Sequence, residues 1–360
     1  MNSVPFNIQN MSMKEPMIVG QSDPILITGA NGFIGSSVVE ALLRAGFTNL
    51  RCFVRPSSNL SRLEAVLERQ EKHHAIIIGG NLLAAGDCER AAKDAKVIYH
   101  LAAGIEKTFP GSFMNSVVTT RNLLNAAVQS GGLRRFVNVS SFAVYSNWNM
   151  GAGSMLDEGC ELESRVVERA EAYAFAKLKQ DEQVRQYAEK HGFEHVILRP
   201  GAVYGPGAHQ LTSRVGIDTF GIFLHLGGSN QIPLTYVDNC AQAIVLAGLT
   251  PGVDREVFNI VDDDLPSSRK FLRMYKRNAK PFRSLYVPYW AFYGFCALWE
   301  KYSKWSKGQL PPVFNRRRCA TYWKGNRYSN RKLKERLGWQ PSVSFAEGAT
   351  RYFQHVRSKG

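Results

Sequence analysis

Tyr173 and Lys177 stand one helical turn apart in Tyr173-Ala174-Phe175-Ala176-Lys177, so a helix puts both side chains on one face. A phenol titrates at about 10, too high for a base near neutral pH, and a lysine cation beside it favours the phenolate. Any helix can hold such a pair by accident. The run before it raises its weight: Val137-Asn138-Val139-Ser140-Ser141 reads as a strand ending in hydroxyls. In a doubly wound sheet, ligands bind at the carboxyl ends of strands. Ser141, Tyr173 and Lys177 are therefore the candidate catalytic residues, and proton exchange with an alcohol or ketone is the candidate chemistry.

A second constellation lies near the start. An apolar run leads directly into Thr28-Gly29-Ala30-Asn31-Gly32-Phe33-Ile34-Gly35, and a helical pattern follows. Glycines at this spacing let the backbone turn tightly, approach a pyrophosphate and pack the helix on the sheet. The free N–H groups of the helix then face the phosphates. The end of the second strand selects the cofactor, where an acid binds the ribose hydroxyls of NAD and an arginine accommodates a 2′-phosphate. This chain has Phe53-Val54-Arg55-Pro56-Ser57-Ser58, with no acid, so Arg55 favours NADP over NAD as the expectation. A module that only sensed the dinucleotide would have no need of the trio.

The elements that must position these residues are legible as alternation. PILIT, RCFV, AIII, VIYHLAA, RRFVNVSS and HVILRP read as buried strands. Between them, SSVVEALLRAG, RNLLNAAVQSG and AYAFAKLKQDEQVRQYAEKHG have helical spacing, with glycine at or just past each end. This predicts an α/β, doubly wound Rossmann parallel sheet with a smaller, mostly C-terminal substrate-binding lobe. The expected division is an irregular lead-in over 1–22 and a nucleotide-binding domain over 23–205, completed by 234–261. The lobe takes 206–233 and 262–360.

The chain has 360 residues and a formal net charge of +15. Without a zinc-finger spacing or other nucleic-acid motif, that charge points to a solvated face or to anionic small molecules, not nucleic acid. The six cysteines are scattered and lack a C-x-x-C pair, which fits a reducing compartment and a cytoplasmic location. The lead-in lacks the pattern of a signal peptide. Val287 to Trp299 is apolar but shorter than the roughly 20 residues that span a bilayer. It reads equally as a core helix of the lobe or as a peripheral membrane contact. A homodimer is left open.

With these strings on the page, the chain resembles the extended short-chain dehydrogenases/reductases of the NAD-dependent epimerase/dehydratase superfamily. TGANGFIG, HLAA (His100 to Ala103), SSFAVY (Ser140 to Tyr145), YAFAK, LRPGAVYGPG (Leu198 to Gly207), YVDN (Tyr236 to Asn239) and LGWQP (Leu337 to Pro341) carry the likeness. The resemblance implies that Ser141 polarises a substrate oxygen, Tyr173 exchanges its proton and Lys177 holds the nicotinamide ribose. It also implies that Gly32, Phe33 and Ile34, Asn81-Leu82, the Leu101-Ala102-Ala103 turn, and Pro200, Gly201 and Val203 line the cofactor. Two positions depart from the family: Ser116 stands where Asn is usual, and Asn81 where the acid of a G-D-L string is usual. Two substrate classes compete. Ile232-Pro233-Leu234 replaces the R-D-F of sugar-nucleotide enzymes, and VPYWAFYGFCALW with RYSNRKLKERLGWQP is similar to the 3β-hydroxysteroid dehydrogenase branch. These strings tilt the expectation to a bulky hydrophobic alcohol or ketone. A nucleotide-sugar epimerase, dehydratase or reductase is the alternative.

Overall fold

In the computed structural model the apolar runs become the strands of one parallel sheet. Residues 17–69, 75–104, 106, 108–208, 211–219, 221–307, 309–310 and 313–359 are described; most of the expected lead-in, 1–16, lies outside them. The strands are β1 (Ile25–Thr28), β2 (Leu50–Val54), β3 (Ile76–Gly79), β4 (Val97–His100), β5 (Arg135–Val139), β6 (Glu194–Pro200) and β7 (Val257–Ile260). Their spatial order is β7-β6-β5-β4-β1-β2-β3. The order reverses between β1 and β4, and such a reversal opens a crevice at the carboxyl ends of the strands.

Both faces of the sheet are covered, so its central strands are buried throughout and mostly apolar; every residue of β1, β4 and β5 is buried. On one face, α1 (Phe33–Arg44) packs against α4 (Val237–Leu249), with Val38, Val39 and Leu42 joining Ile244 and Val245. On the other, α2 (Thr119–Ser130) and α3 (Ala172–His191) bring Leu123, Leu124 and Val184 onto Leu26, Ile98 and Phe136. Each such side chain contributes about 1.5–3 kcal/mol when fully buried. β3 differs from its expectation as a buried strand: Ile76 and Ile77 are exposed. It is the edge of the sheet, and among the described residues no strand lies on its outer side.

The helices stop where glycine allows it. Gly46, Gly131 and Gly192 follow the three helical segments at φ +85, +68 and +76, a region that other residues rarely enter. The smaller, C-terminal lobe holds a three-stranded sheet of Gly216–Thr219, Ile222–His225 and Ser284–Tyr286. Two helices, α5 (Tyr289–Trp305) and α6 (Arg316–Trp323), pack beside it through Phe292, Cys296, Cys319 and Trp323.

Candidate active site

β1 delivers the chain into the glycine turn, where the backbone comes closer than side chains permit. Gly29 sits at φ +69, and a Cβ there would lie 3.0 Å from the Ala102 nitrogen. A Cβ on Gly35, in the first turn of α1, would lie 2.0 Å from the Gly29 carbonyl oxygen. The helix therefore rests directly on the turn. Gly32 precedes it in extended conformation, and no side chain caps the first N–H groups of α1. These N–H groups carry the partial positive charge that suits a pyrophosphate. A cleft of about 470 Å³ opens beside them, lined by Gly29, Asn31, Gly32, Arg55, Asn81, Leu82, Leu101, Ala102 and Ala103 among others. Its shape and glycine floor fit a dinucleotide. Phe33, Ile34 and Gly35 form the start of α1 behind it. Pro200, Gly201 and Val203 lie outside that lining, on the strand end of β6 and the short strand after it.

The departures from the family pattern are accommodated locally. Asn81 turns its side-chain oxygen to the Leu83 N–H at 3.0 Å, while its own N–H donates to Asp87 at 2.7 Å. Ser116 lies in a π-helical turn, Phe113–Val118, which leads into α2. Its hydroxyl accepts the Gly104 N–H at 3.1 Å, tying that turn to the chain that lines the cleft.

The three candidate catalytic residues lie at the end of β5 and on α3. Ser141, just beyond β5, is extended, and its Oγ accepts the Ala143 N–H at 3.2 Å. The Tyr173 phenol lies beside Ser141. Lys177 Nζ, one turn further along α3, donates to the Val139 carbonyl at 2.7 Å. Burial pushes the Tyr173 phenol above its ordinary range; the nearby Ser141 hydroxyl opposes this, while Glu171 and Asp181 add to it. Burial also pulls Lys177 down to about 8, against the pull of Asp181. The help expected from the lysine is thus outweighed by desolvation, and the phenol stays protonated at neutral pH.

Beneath the trio lies a residue that the motifs do not reveal. Asp181 accepts from Asn138 at 2.8 Å and from Ser140 at 3.0 Å, and it meets Arg199 at 3.3 Å. Tyr173, Lys177 and Asp181 thus follow one face of α3, and Asp181 ties that face to the ends of β5 and β6. The signal was there in its spacing, one turn beyond Lys177, but any acid on a helix could share it. A second buried network joins the two halves of the crevice. Thr28 Oγ1 meets His100 Nδ1 at 2.8 Å and His100 Nε2 meets Thr120 Oγ1 at 2.9 Å. Thr120 in turn donates to the Ser116 carbonyl at 2.6 Å, so the network assigns the His100 proton to Nε2. Burial pulls His100 down to about 3, which keeps it neutral.

The sequence pattern of the NAD dependent epimerase/dehydratase family matches residues 25–260. Over 339 residues the chain is 27% identical to the UDP-glucose 4-epimerase of Vibrio cholerae, covering 90% of this chain and 92% of that one. It is 24% identical over 355 residues to the 2-alkyl-3-oxoalkanoate reductase of Stenotrophomonas maltophilia, covering 91% and 97%. A solved UDP-glucuronic acid 4-epimerase from Bacillus cereus, in complex with NAD, shares the fold with a TM-score of 0.69 at 21% identity, covering 93% and 99%. Its forms with sugar nucleotide also hold NAD. These findings correct the expectation of NADP. Arg55 is exposed and, among the described residues, its guanidinium makes no hydrogen bond or ion pair. An unanchored side chain must be ordered at an entropic cost before it can read a phosphate, so its presence does not select the cofactor. The family link reaches the superfamily and gives no specific tie to the hydroxysteroid branch, and these relatives back the nucleotide-sugar alternative better than the bulky hydrophobic substrate.

Proposed function

The chain belongs to the NAD dependent epimerase/dehydratase family, and we propose that it moves a hydride between NAD and a carbinol carbon of a sugar nucleotide, as an epimerase or oxidoreductase. The observation that carries the chemistry is the placing of Tyr173 beside Ser141, with Lys177 one turn away on α3 and donating to the Val139 carbonyl at 2.7 Å. The substrate class rests on the likeness to a UDP-glucose 4-epimerase over nine-tenths of the chain.

NAD, when bound, supplies the two-electron acceptor. The N–H groups of α1 and the backbone of the glycine turn would hold its pyrophosphate, and the residues lining the cleft would take the rest of the dinucleotide. Ser141 orients the substrate oxygen with its hydroxyl. As its phenolate, the form that gains population as pH rises, Tyr173 takes the proton from that oxygen while the alcohol is oxidised; as the phenol it returns the proton while the ketone is reduced. Lys177 holds a positive charge under the phenol below about pH 8, and Asp181 keeps α3 in register with β5. Arg199, beside Asp181 and over the Tyr145 ring at 4.9 Å, braces the same strand end.

A second reading has its own observation. A pocket of about 230 Å³ in the C-terminal lobe is walled by Ile217, Phe292, Phe314 and Trp323, which suits an apolar chain. That favours reduction of a ketone carried on an alkyl group, the reaction class in the name of the Stenotrophomonas relative. Incubation with NAD and UDP-glucose or UDP-galactose, followed by separation of the two sugars, tests the first reading. Interconversion that is lost in Tyr173→Phe supports it. Inert sugar nucleotides, together with NADH consumption on a 2-alkyl-3-oxo acid, would replace it with the second.

A further inference from the structure

α5 carries its apolar residues on the outside. Its inward side holds Phe292, Cys296 and Ser303. Its outward side presents Trp290, Leu298 and Trp305, which are 76%, 67% and 77% exposed, with Tyr302 at 49%. At about 3.6 residues per turn these four fall on one stripe along the helix. Leu285 and Tyr286, in the strand just before it, are exposed as well. A contiguous apolar stripe that the rest of the chain leaves uncovered marks an interaction surface.

The charges around the stripe say what covers it. Between 283 and 307 the exposed charged residues are Arg283, Lys301, Lys304 and Lys307, all positive. The one acid of α5, Glu300, is held by Arg316 at 2.8 Å. A second copy of the chain, docked by this stripe, would set positive ends against positive ends, with no free carboxylate between 283 and 307 to answer them. An anionic lipid surface answers them directly, and lysine stems can lie along the apolar stripe while their amines reach the headgroups. Tryptophan at both ends of the stripe suits the headgroup boundary. Among the described residues no helix is long and apolar enough to cross a membrane, so the contact lies along the surface.

We propose that α5 docks the protein on an anionic lipid surface, burying Trp290, Leu298 and Trp305 and setting Lys301, Lys304 and Lys307 against the headgroups. The test is co-sedimentation of the full chain with vesicles of phosphatidylcholine and phosphatidylglycerol in equal parts, against phosphatidylcholine alone. The wild type binds the anionic vesicles at low salt, binds the neutral ones weakly, and is released by high salt. Lys301→Gln/Lys304→Gln/Lys307→Gln lowers the partition by about a hundredfold. Trp290→Ser/Leu298→Ser/Trp305→Ser lowers it by about tenfold or more, and Leu298→Glu alone acts in the same direction. NAD affinity and the far-ultraviolet spectrum, unchanged in each variant, show that the fold is intact. No binding to anionic vesicles at low salt overturns the proposal, as does binding that the serine variant retains. A wild-type dimer that the serine variant dissolves assigns the stripe to a second copy instead.

Discussion

Gly32 and Gly35 belong to one motif, yet the structure predicts that alanine does different things at each. Inside a helix, alanine is favoured over glycine by about 1 kcal/mol. At Gly35 that gain meets a backbone wall: the new Cβ would sit 2.0 Å from the Gly29 oxygen, 2.9 Å from its carbon and 3.0 Å from the Ala30 Cα. The first gap is more than an ångström short of ordinary contact, and no flexible side chain can give way. α1 must retreat from the turn, at the roughly 1–3 kcal/mol of an overpacked core or more. Its N–H groups retreat with it, so the NAD affinity should fall by about tenfold or more. Gly32 has φ −70 and ψ 172, which any residue adopts, and its Cβ would lie 3.1 Å from the Gly29 oxygen. Gly32→Ala should therefore hold stability within about 1 kcal/mol. It lines the cleft, however, and a methyl group there keeps a pyrophosphate away from the backbone. Urea unfolding and calorimetric titration with NAD separate the two: Gly35→Ala loses stability and affinity together, Gly32→Ala loses affinity alone. A Gly35→Ala protein with wild-type stability and wild-type affinity would refute the packing argument.

Tyr173→Phe keeps the ring and removes the exchangeable proton, so turnover should drop about a hundred- to ten-thousand-fold with NAD affinity unchanged. A folded variant with near-normal turnover would remove Tyr173 from the chemistry. Because burial raises the Tyr173 phenol, ketone reduction should hold its rate from neutral into alkaline pH while alcohol oxidation climbs; a reduction rate that falls from pH 7 contradicts this. Ser116→Ala strips the Gly104 N–H of its acceptor, at about 1–3 kcal/mol, and should raise the KM for NAD more than it changes kcat. His100 stays neutral in the folded protein down to about pH 3, whereas an unfolded histidine takes its proton at about 6.5. Below that pH the unfolded state binds more protons, so stability should be lost as pH falls, by up to about 1.4 kcal/mol per unit. Urea unfolding at pH 7 and pH 5 measures the slope, and His100→Gln should flatten it.

The sequence by itself determined whatever depends on near neighbours. A strand or helix declares itself through a repeat of a few residues, and the glycine turn and the Tyr173–Lys177 spacing are likewise local. The order of strand, turn and helix around Gly29 to Gly35, the helical face shared by Tyr173 and Lys177, and the glycines that end the helices were readable for that reason. The tertiary structure decided what depends on residues far apart in the chain. Whether the isoleucines of β3 are buried is settled by which elements lie beside them, and among the described residues β3 pairs with a strand on one side only. Asp181 becomes the anchor of the site because β5 and β6 bring Asn138, Ser140 and Arg199 to it. The acidity of Tyr173 follows from desolvation by surrounding elements, which the pairing with Lys177 does not reveal. Arg55 reads as a phosphate contact in one dimension and proves to be an exposed, unanchored side chain in three. The apolar run from Val287 to Trp299 shows the same limit: hydrophobicity records a preference to leave water, but only the packing of α5 shows which side of it the protein covers.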